Sequence, residues 1–197
     1  KGAKLHHMGL FNNAKSFQTR MGLEKGDHWL NCMPMFHTSG AGMATLGCLA
    51  KRATHYIMER FDAKNWCSVV EREKINFLTA VPTMFVEILE EWKKGNYRES
   101  KLKGMTSGGT SVPPTLVKEL HKTFGVWLQI VYGQTESSPV ITLAWADDSL
   151  ENLTNSLGQP LPNLDVSIRD PQTNKGMGLN EGGERGNRGD NTMREYH

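Results

Sequence analysis

The chain has 197 residues, of which 38% are hydrophobic and 22% are charged, values that are typical of globular proteins and exclude the disordered, collagen-like and disulfide-scaffold classes. A formal net charge of +2 does not indicate a nucleic-acid-binding surface, and no apolar run approaches the roughly 20 residues that a transmembrane helix needs. The three cysteines, Cys32, Cys48 and Cys67, share no CxxC spacing, which favours buried thiols in a reducing compartment, so we expect a cytoplasmic protein.

The first third of the chain alternates between helical and extended patterns. Apolar residues recur at nearly helical spacing before Gly22, and a short apolar run is stopped by Pro34, which is typical of a buried strand that leads into a loop. The elements predicted here are a helix over residues 5–23, a strand over 29–33, a loop over 35–40, a buried helix over 42–49 and a strand over 54–58.

The middle of the chain repeats this alternation. The predicted elements are a helix over residues 63–73 with Asp62 as N-cap, a strand over 76–80, a helix over 84–92 capped by Thr83, a short strand over 105–107, a helix from Pro113-Pro114 to about 124, and a strand over 128–131. Strands that alternate with helices of about ten residues predict an α/β fold, with a mostly parallel sheet and flanking helices. Ligands of such sheets bind at the loops after the strands, which here follow Met33, Met105 and Val131.

The sequence changes character after about residue 150. Residues 155–162 are rich in turn formers, residues 165–169 alternate like a strand, and glycine, asparagine and charge dominate from Asp170 onward. We therefore predict an α/β region over residues 1–150 and the beginning of a β-rich subdomain over residues 151–197.

The segment Tyr132-Gly133-Gln134-Thr135-Glu136 combines side chains that suit a nucleotide. An aromatic ring can stack on a base, and glycine allows the backbone to approach a ligand closely. A threonine hydroxyl can donate to a phosphate oxygen, whereas a carboxylate beside that phosphate requires Mg²⁺ between them. The alternative is a polar strand-to-helix turn in which Thr135 is the cap.

Two other loops contain candidate residues. The turn Ser107-Gly108-Gly109-Thr110 allows a planar ligand to approach closely or the backbone to adopt positive φ, although a structural turn is the more common explanation. His37 is either a structural histidine or a pocket-wall residue that can donate to a carboxylate. The sequence contains no Walker A motif, and no Ser-His-Asp triad can be identified.

Taken in order, these segments resemble the adenylate-forming superfamily, which comprises acyl- and aryl-CoA synthetases, luciferases and peptide-synthetase adenylation domains. The matching segments are residues 1–3 with 12–14, 33–40, 81–84, 107–109, 132–136 and 157–160. Residues 137–139 and the run Pro34-Met35-Phe36-His37-Thr38-Ser39-Gly40 look most like fatty- or medium-chain acyl-CoA synthetases. The resemblance implies that the parent enzyme is an AMP-forming acid–CoA ligase, and that residues 1–150 are its α/β nucleotide- and acyl-binding region. It also implies that residues after about 157 enter a small β-barrel.

The same resemblance implies roles for individual residues. Thr135, Glu136 and His37 would be catalytic, and Glu136 would hold Mg²⁺. ATP would contact Ser107, Gly108, Gly109, Thr110, Tyr132, Gly133, Gln134 and Thr135, with the adenine beside Tyr132. The carboxylic acid would contact His37, Val81, Thr83, Gly109 and Gly133. The acid would attack the α-phosphorus of ATP and release pyrophosphate, and CoA would then accept the acyl group.

Departures from the family pattern leave alternatives open. The phosphate loop of the family would precede residue 1 and its mobile C-terminal domain would follow residue 197, so we expect an internal piece that is inactive alone. Residues 183–189 are shorter than the corresponding family motif, either because a strand is lost or because residues are missing. The alternatives are a non-catalytic nucleotide- or acyl-binding fragment, or an adenylating enzyme that does not use CoA. Acyl chain length and oligomeric state stay open.

Overall fold

The computed structural model describes residues 2–197, so Lys1 of the first matching segment lies outside the described residues. The helices are α1 (His7–Met21), α2 (Gly47–Lys51), α3 (Ala63–Arg72), α4 (Pro82–Lys94), α5 (Pro114–Phe124) and α6 (Leu150–Asn155), with a π-helical segment (Ser39–Leu46) before α2 and a 3-10 turn (Thr135–Ser137). The strands are β1 (Ala3–Lys4), β2 (His28–Asn31), β3 (Thr54–Ile57), β4 (Phe77–Thr79), β5 (Gly104–Gly108), β6 (Leu128–Gly133), β7 (Val140–Leu143), β8 (Gln159–Pro160), β9 (Leu164–Arg169), β10 (Glu184–Gly189) and β11 (Glu195–Tyr196).

A seven-stranded sheet organises the fold, in the order β3-β2-β4-β5-β6-β7-β8. Its first five strands in that order are parallel; β7 then pairs antiparallel with β6, and β8 pairs antiparallel with β7. Two small antiparallel pairs, β9 with β10 and β1 with β11, lie outside it. The predicted α/β class with a mostly parallel sheet is therefore confirmed, as is a β-rich segment after it.

Helices cover both faces of the large sheet because successive strand residues point to opposite sides. Trp29 and Phe77 pack in a cluster with α1 and the π-helical segment. Their neighbours Leu30 and Leu78 belong to the other cluster, which includes buried residues of α3, α4 and α5. Strands that are buried on both faces are typical of parallel sheets, since crossover helices cover each side.

Local signals account for several helix ends. α1 ends at Gly22, whose φ of 82° is left-handed and suits glycine. The Asp62 side chain accepts from the Asn65 amide and caps α3, as predicted. The predicted cap of α4 was wrong: the helix begins at Pro82, so Thr83 lies within its first turn, and the N-cap Val81 offers no side-chain bond.

The structure differs from the sequence prediction at three further places, all of them after residue 131. Tyr132 and Gly133 belong to β6 instead of the loop after it. β7 had no sequence prediction, and β8 extends the large sheet past residue 150. Residues 184–189 do form a strand, paired antiparallel with β9, so the shortened motif has not lost it.

Within residues 2–197, none of the helices combines the length and the apolar character needed to cross a bilayer.

Candidate functional site

A cavity of about 350 Å³ opens at the carboxyl ends of β2, β4, β5 and β6. Parallel strands present these ends at the same edge of the sheet, where their following loops converge. The residues that line the cavity are Met33, His37, Thr38, Ser39, Met43, Thr79, Ala80, Val81, Gly108, Gly109, Val131, Gly133, Gln134, Thr135, Pro139 and Val140. The edge of the sheet predicted to bind a ligand is therefore the edge that contains this cavity.

The cavity brings together seven of the residues that the resemblance selected from four separate segments: His37, Val81, Gly108, Gly109, Gly133, Gln134 and Thr135. Five others lie outside its lining: Ser107, Thr110, Tyr132, Glu136 and Thr83. Thr83 and Thr110 instead line a neighbouring open groove between α4 and α5. α4 starts two residues earlier than predicted, and Thr83, in its first turn, lines this groove and not the cavity.

Two cavity glycines are required by close backbone contacts. A Cβ on Gly108 would collide with the carbonyl oxygen of Val131 and lie 2.7 Å from its Cγ1. A Cβ on Gly133 would collide with the carbonyl oxygen of Pro139 and lie 3.0 Å from the Cα of Val140. Larger residues would force the strand ends apart, since backbone atoms cannot rotate away as side chains do. Glycine at these positions keeps β5, β6 and β7 close enough to form the cavity wall.

His37 lies at the exposed mouth of the cavity with one ring nitrogen engaged. The backbone N–H of Ser39 donates to Nδ1 at 3.1 Å, and the Ser39 Oγ lies 2.7 Å from the same atom. An Nδ1 that accepts from a backbone N–H carries no proton in the neutral ring, so the proton is on Nε2. The loop thus fixes a tautomer whose Nε2–H can donate to a carboxylate.

Asn13 of α1 holds the far side of the cavity in place. Its amide nitrogen donates to the Val140 carbonyl at 2.7 Å, and its amide oxygen accepts from the Val140 N–H at 3.0 Å. The side chain is buried and pairs with the backbone of β7 as a neighbouring strand would. Asn13 is thereby part of the support of the loop that contains Thr135, a role that the sequence did not reveal.

Glu136 lies beside the cavity, and Tyr196 contacts it. The Tyr196 hydroxyl donates to Oε1 at 2.8 Å. The pKa of Glu136 is lowered from its ordinary value of 4.5, first by a bond from its own backbone N–H and then by the Tyr196 hydroxyl. The side chain is therefore an ionised acceptor at neutral pH.

The metal-ligating side chains near the cavity suit a magnesium ion that would be held jointly by the protein and by a bound substrate. Within residues 2–197 no group of three or more His, Cys, Asp or Glu side chains could hold a metal. Mg²⁺ is commonly bound by one or two carboxylates together with phosphate oxygens and water, so Glu136 beside the cavity would suit it if a phosphate group were bound there. A metal held by protein side chains alone would not fit.

Tyr196→Phe is expected to raise the pKa of Glu136 toward its ordinary value, because it removes a hydroxyl that donates to the ionised form. The stability that this contact contributes is present above the ordinary carboxyl pKa and is lost as the pH falls through the lowered one. A carbon-13 NMR titration of Glu136 measures the shift. Tyr97→Phe, which removes a hydroxyl bonded to Glu91 at 3.2 Å, is the matched control and should leave the pKa of Glu136 unchanged. An equal pKa of Glu136 in the wild type and in Tyr196→Phe would contradict this expectation.

Tyr132, the predicted adenine partner, has one face of its ring covered by the guanidinium group of Arg185. The guanidinium carbon of Arg185 lies 4.2 Å from the centroid of its ring, a cation–π distance. Arg185 is exposed and comes from β10, so the contact joins the β-rich segment to the end of β6. Any base that stacks on Tyr132 must use the opposite face or displace Arg185.

The chain is similar to a known enzyme family and to several acyl-CoA ligases. The family model described as AMP-binding enzyme matches residues 1–197. The Bacillus subtilis protein YngI, provisionally named an acyl-CoA synthetase, is 32% identical over 198 residues, which cover 100% of this chain and 36% of the relative. The human mitochondrial medium-chain acyl-CoA ligase ACSF2 is 31% identical over 190 residues, or 93% of this chain and 31% of the relative. The chain thus spans about a third of the length of these relatives.

Solved structures match along the whole chain. A long-chain-fatty-acid-CoA ligase, FadD1 from Archaeoglobus fulgidus, superposes with a TM-score of 0.90 at 25% identity, covering 100% of this chain and 41% of that one. The O-succinylbenzoate coenzyme A synthetase MenE from Bacillus subtilis, in complex with ATP and magnesium ion, superposes with a TM-score of 0.87 at 26% identity, covering 100% and 40% respectively.

Proposed function

The chain belongs to the family of AMP-binding enzymes, and from this premise we propose that its parent protein is an acid–CoA ligase. In this reaction the carboxylate oxygen of the acid attacks the α-phosphorus of ATP, and the bond to pyrophosphate breaks. The thiol of CoA then attacks the acyl carbon, and AMP leaves. The observation that carries the proposal is the cavity, which unites the glycine turn at Gly108, the Thr135 segment and the His37 loop at one edge of the sheet.

Each residue has a proposed task in the first step. The Thr135 hydroxyl, which lines the cavity, donates to an oxygen of the α-phosphate. The Nε2–H of His37 donates to the carboxylate and orients it for attack. Glu136 binds Mg²⁺, which when present would neutralise charge on the phosphate oxygens. Tyr132 offers to the adenine the ring face opposite Arg185, while Gly109, where a Cβ would meet nothing within 4 Å, leaves room for a ligand. Catalysis therefore consists of positioning and of neutralising charge.

We propose a fatty or medium-chain acid as the substrate. The inner wall of the cavity is largely apolar, and the side chains of Met33, Met43, Val131 and Val140 suit an alkyl chain better than a charged group. Two similar proteins are named for ligation of aliphatic acids, the medium-chain ligase ACSF2 and the long-chain ligase FadD1, and this supports an aliphatic acid as the substrate. CoA, ATP and the acid are thus the proposed small-molecule partners.

The organisation and location of the protein are also proposals. We place the boundary between the α/β region and the β-rich subdomain after β8, since that strand completes the large sheet.

A reducing compartment such as the cytoplasm suits the three free, buried cysteines. Burial raises the pKa of Cys32 to about 12, so its thiol stays protonated and unreactive.

Thr135→Val is expected to raise the KM for ATP or lower kcat by a combined factor of about 10 to 100, because one hydrogen bond to a charged phosphate is lost. The measurement is ATP-pyrophosphate exchange with octanoate, using the full-length protein that contains this chain. Thr135→Ser keeps the hydroxyl and should retain most of the activity. Exchange that is equal in the valine variant and the wild type would remove Thr135 from the site. An acid-dependent exchange with no acyl-CoA formed from added CoA would instead indicate an adenylating enzyme that uses another acceptor.

A further inference from the structure

The loop that follows β6 turns sharply and is held partly by its own backbone. Gln134 N–H donates to the Pro139 carbonyl at 2.9 Å, and Ser137 N–H donates to the Gln134 carbonyl at 2.9 Å. Ser138 has a left-handed φ of 63°, which is uncommon outside glycine and asparagine. So short a loop with a strained residue needs contacts from outside to keep a single shape.

Asn191, which follows β10, supplies those contacts from a segment distant in sequence. Its side chain is 1% exposed, and its amide nitrogen donates to the carbonyl of Ser137 at 2.6 Å and to that of Val140 at 3.4 Å. Its backbone carbonyl accepts from the Ser138 hydroxyl at 2.7 Å. One buried residue thus contacts three positions of the loop.

The residues after Asn191 contact the same loop. The Met193 N–H donates to the Glu136 carbonyl at 2.7 Å, and the Tyr196 hydroxyl donates to the Glu136 carboxylate. Asn13 also holds Val140, through both its N–H and its carbonyl. The loop that contains Thr135 and Glu136 is therefore clamped by α1 and by the segment 191–196.

We infer that Asn191 is a positioning residue for nucleotide binding, which acts by fixing the loop that presents Thr135 and Glu136. The inference rests on the proposed function of those two residues. The carbonyl of Ser137 belongs to a buried residue, and a buried carbonyl without a donor is costly. Without the Asn191 amide, the loop will populate several conformations, and only a fraction of them will place Thr135 and Glu136 together at the cavity.

The test compares Asn191→Ala and the near-isosteric Asn191→Asp with the wild type in the full-length protein that contains this chain. Both variants lack the N–H donors, so the KM for ATP in pyrophosphate exchange with octanoate should rise about 10-fold. The KM for octanoate should change less than about 2-fold, because the acid side of the cavity keeps its contacts. Amide hydrogen exchange in residues 134–140 should become faster, while that of β2 and β4 stays protected.

The control and the opposite outcomes separate this inference from the proposed function. Asn152→Ala, on the exposed face of α6, should match the wild type in every readout. Unchanged loop exchange and an unchanged KM for ATP in both Asn191 variants would overturn the positioning role. If both variants lose cooperative unfolding, Asn191 is a folding residue and the inference is likewise wrong. If the wild type itself shows no acid-dependent exchange while Asn191→Ala still loosens residues 134–140, the proposed function has failed and the effect on the loop stands.

Discussion

Replacing Glu136 with alanine is expected to lower the rate of adenylate formation by about 100- to 1,000-fold, the scale of loss when one preorganised group that stabilises developing charge is removed. Glu136 is the carboxylate beside the cavity, and its lowered pKa keeps it ionised at neutral pH. Without Glu136, the protein would no longer position the metal ion that neutralises the charge of the departing pyrophosphate. Single-turnover formation of octanoyl-AMP from Mg·ATP measures the loss directly.

Controls separate the metal role from a general disturbance of the loop. Glu136→Ala should need a higher Mg²⁺ concentration for half-maximal rate, and its thermal unfolding midpoint should stay near that of the wild type because the side chain is partly exposed. Glu119→Ala, which removes a carboxylate paired with Lys93 on the surface, is the matched control and should keep the wild-type rate. A Glu136→Ala protein with normal rate and normal Mg²⁺ dependence would rule out the proposed metal ligand.

The edge of the sheet that contains the cavity could be predicted because it depends on local signals. Short apolar runs that stop at Pro34 or at Gly108-Gly109 mark where strands end, and parallel strands end on a common edge. Gly108 and Gly133 were selected by family resemblance, and the structure shows the backbone contacts that exclude a side chain there. These features need only a few neighbouring residues to be recognised.

The supports of the site could not be predicted because they join distant segments. Asn13 and Asn191 both bind the carbonyl of Val140, at sequence separations of 127 and 51 residues, and neither has a local pattern that reveals its partner. The predicted cap of α4 was wrong for a local reason: proline is favoured in the first turn of a helix, so α4 begins at Pro82, two residues before Met84, and Thr83 lies inside the helix. Sequence patterns thus identify the residues that present chemical groups more readily than those that position them.

Trp29→Ala is expected to destabilise the fold by about 3 to 5 kcal/mol, the usual cost of replacing a fully buried aromatic residue with alanine. Trp29 is 0% exposed and lies in β2. Its ring is stacked with Phe77 of β4, with centroids 6.2 Å apart, and meets Phe17 of α1 edge-on at 6.1 Å. Its loss would leave a cavity between the sheet and α1 that neither neighbour can fill by rotating, because both are themselves buried.

The consequence should extend from the core to the site. α1 carries Asn13, which fixes Val140, so a looser contact between α1 and the sheet weakens one side of the clamp on the nucleotide loop. Urea unfolding followed by circular dichroism measures the destabilisation. Trp29→Phe keeps an aromatic ring and should cost less than half as much, since its indole Nε1 makes no hydrogen bond to residues 2–197 that the substitution would remove. A loss below about 1 kcal/mol for Trp29→Ala would mean that the sheet and α1 repack freely around the smaller side chain, and that Asn13 keeps its place without the indole.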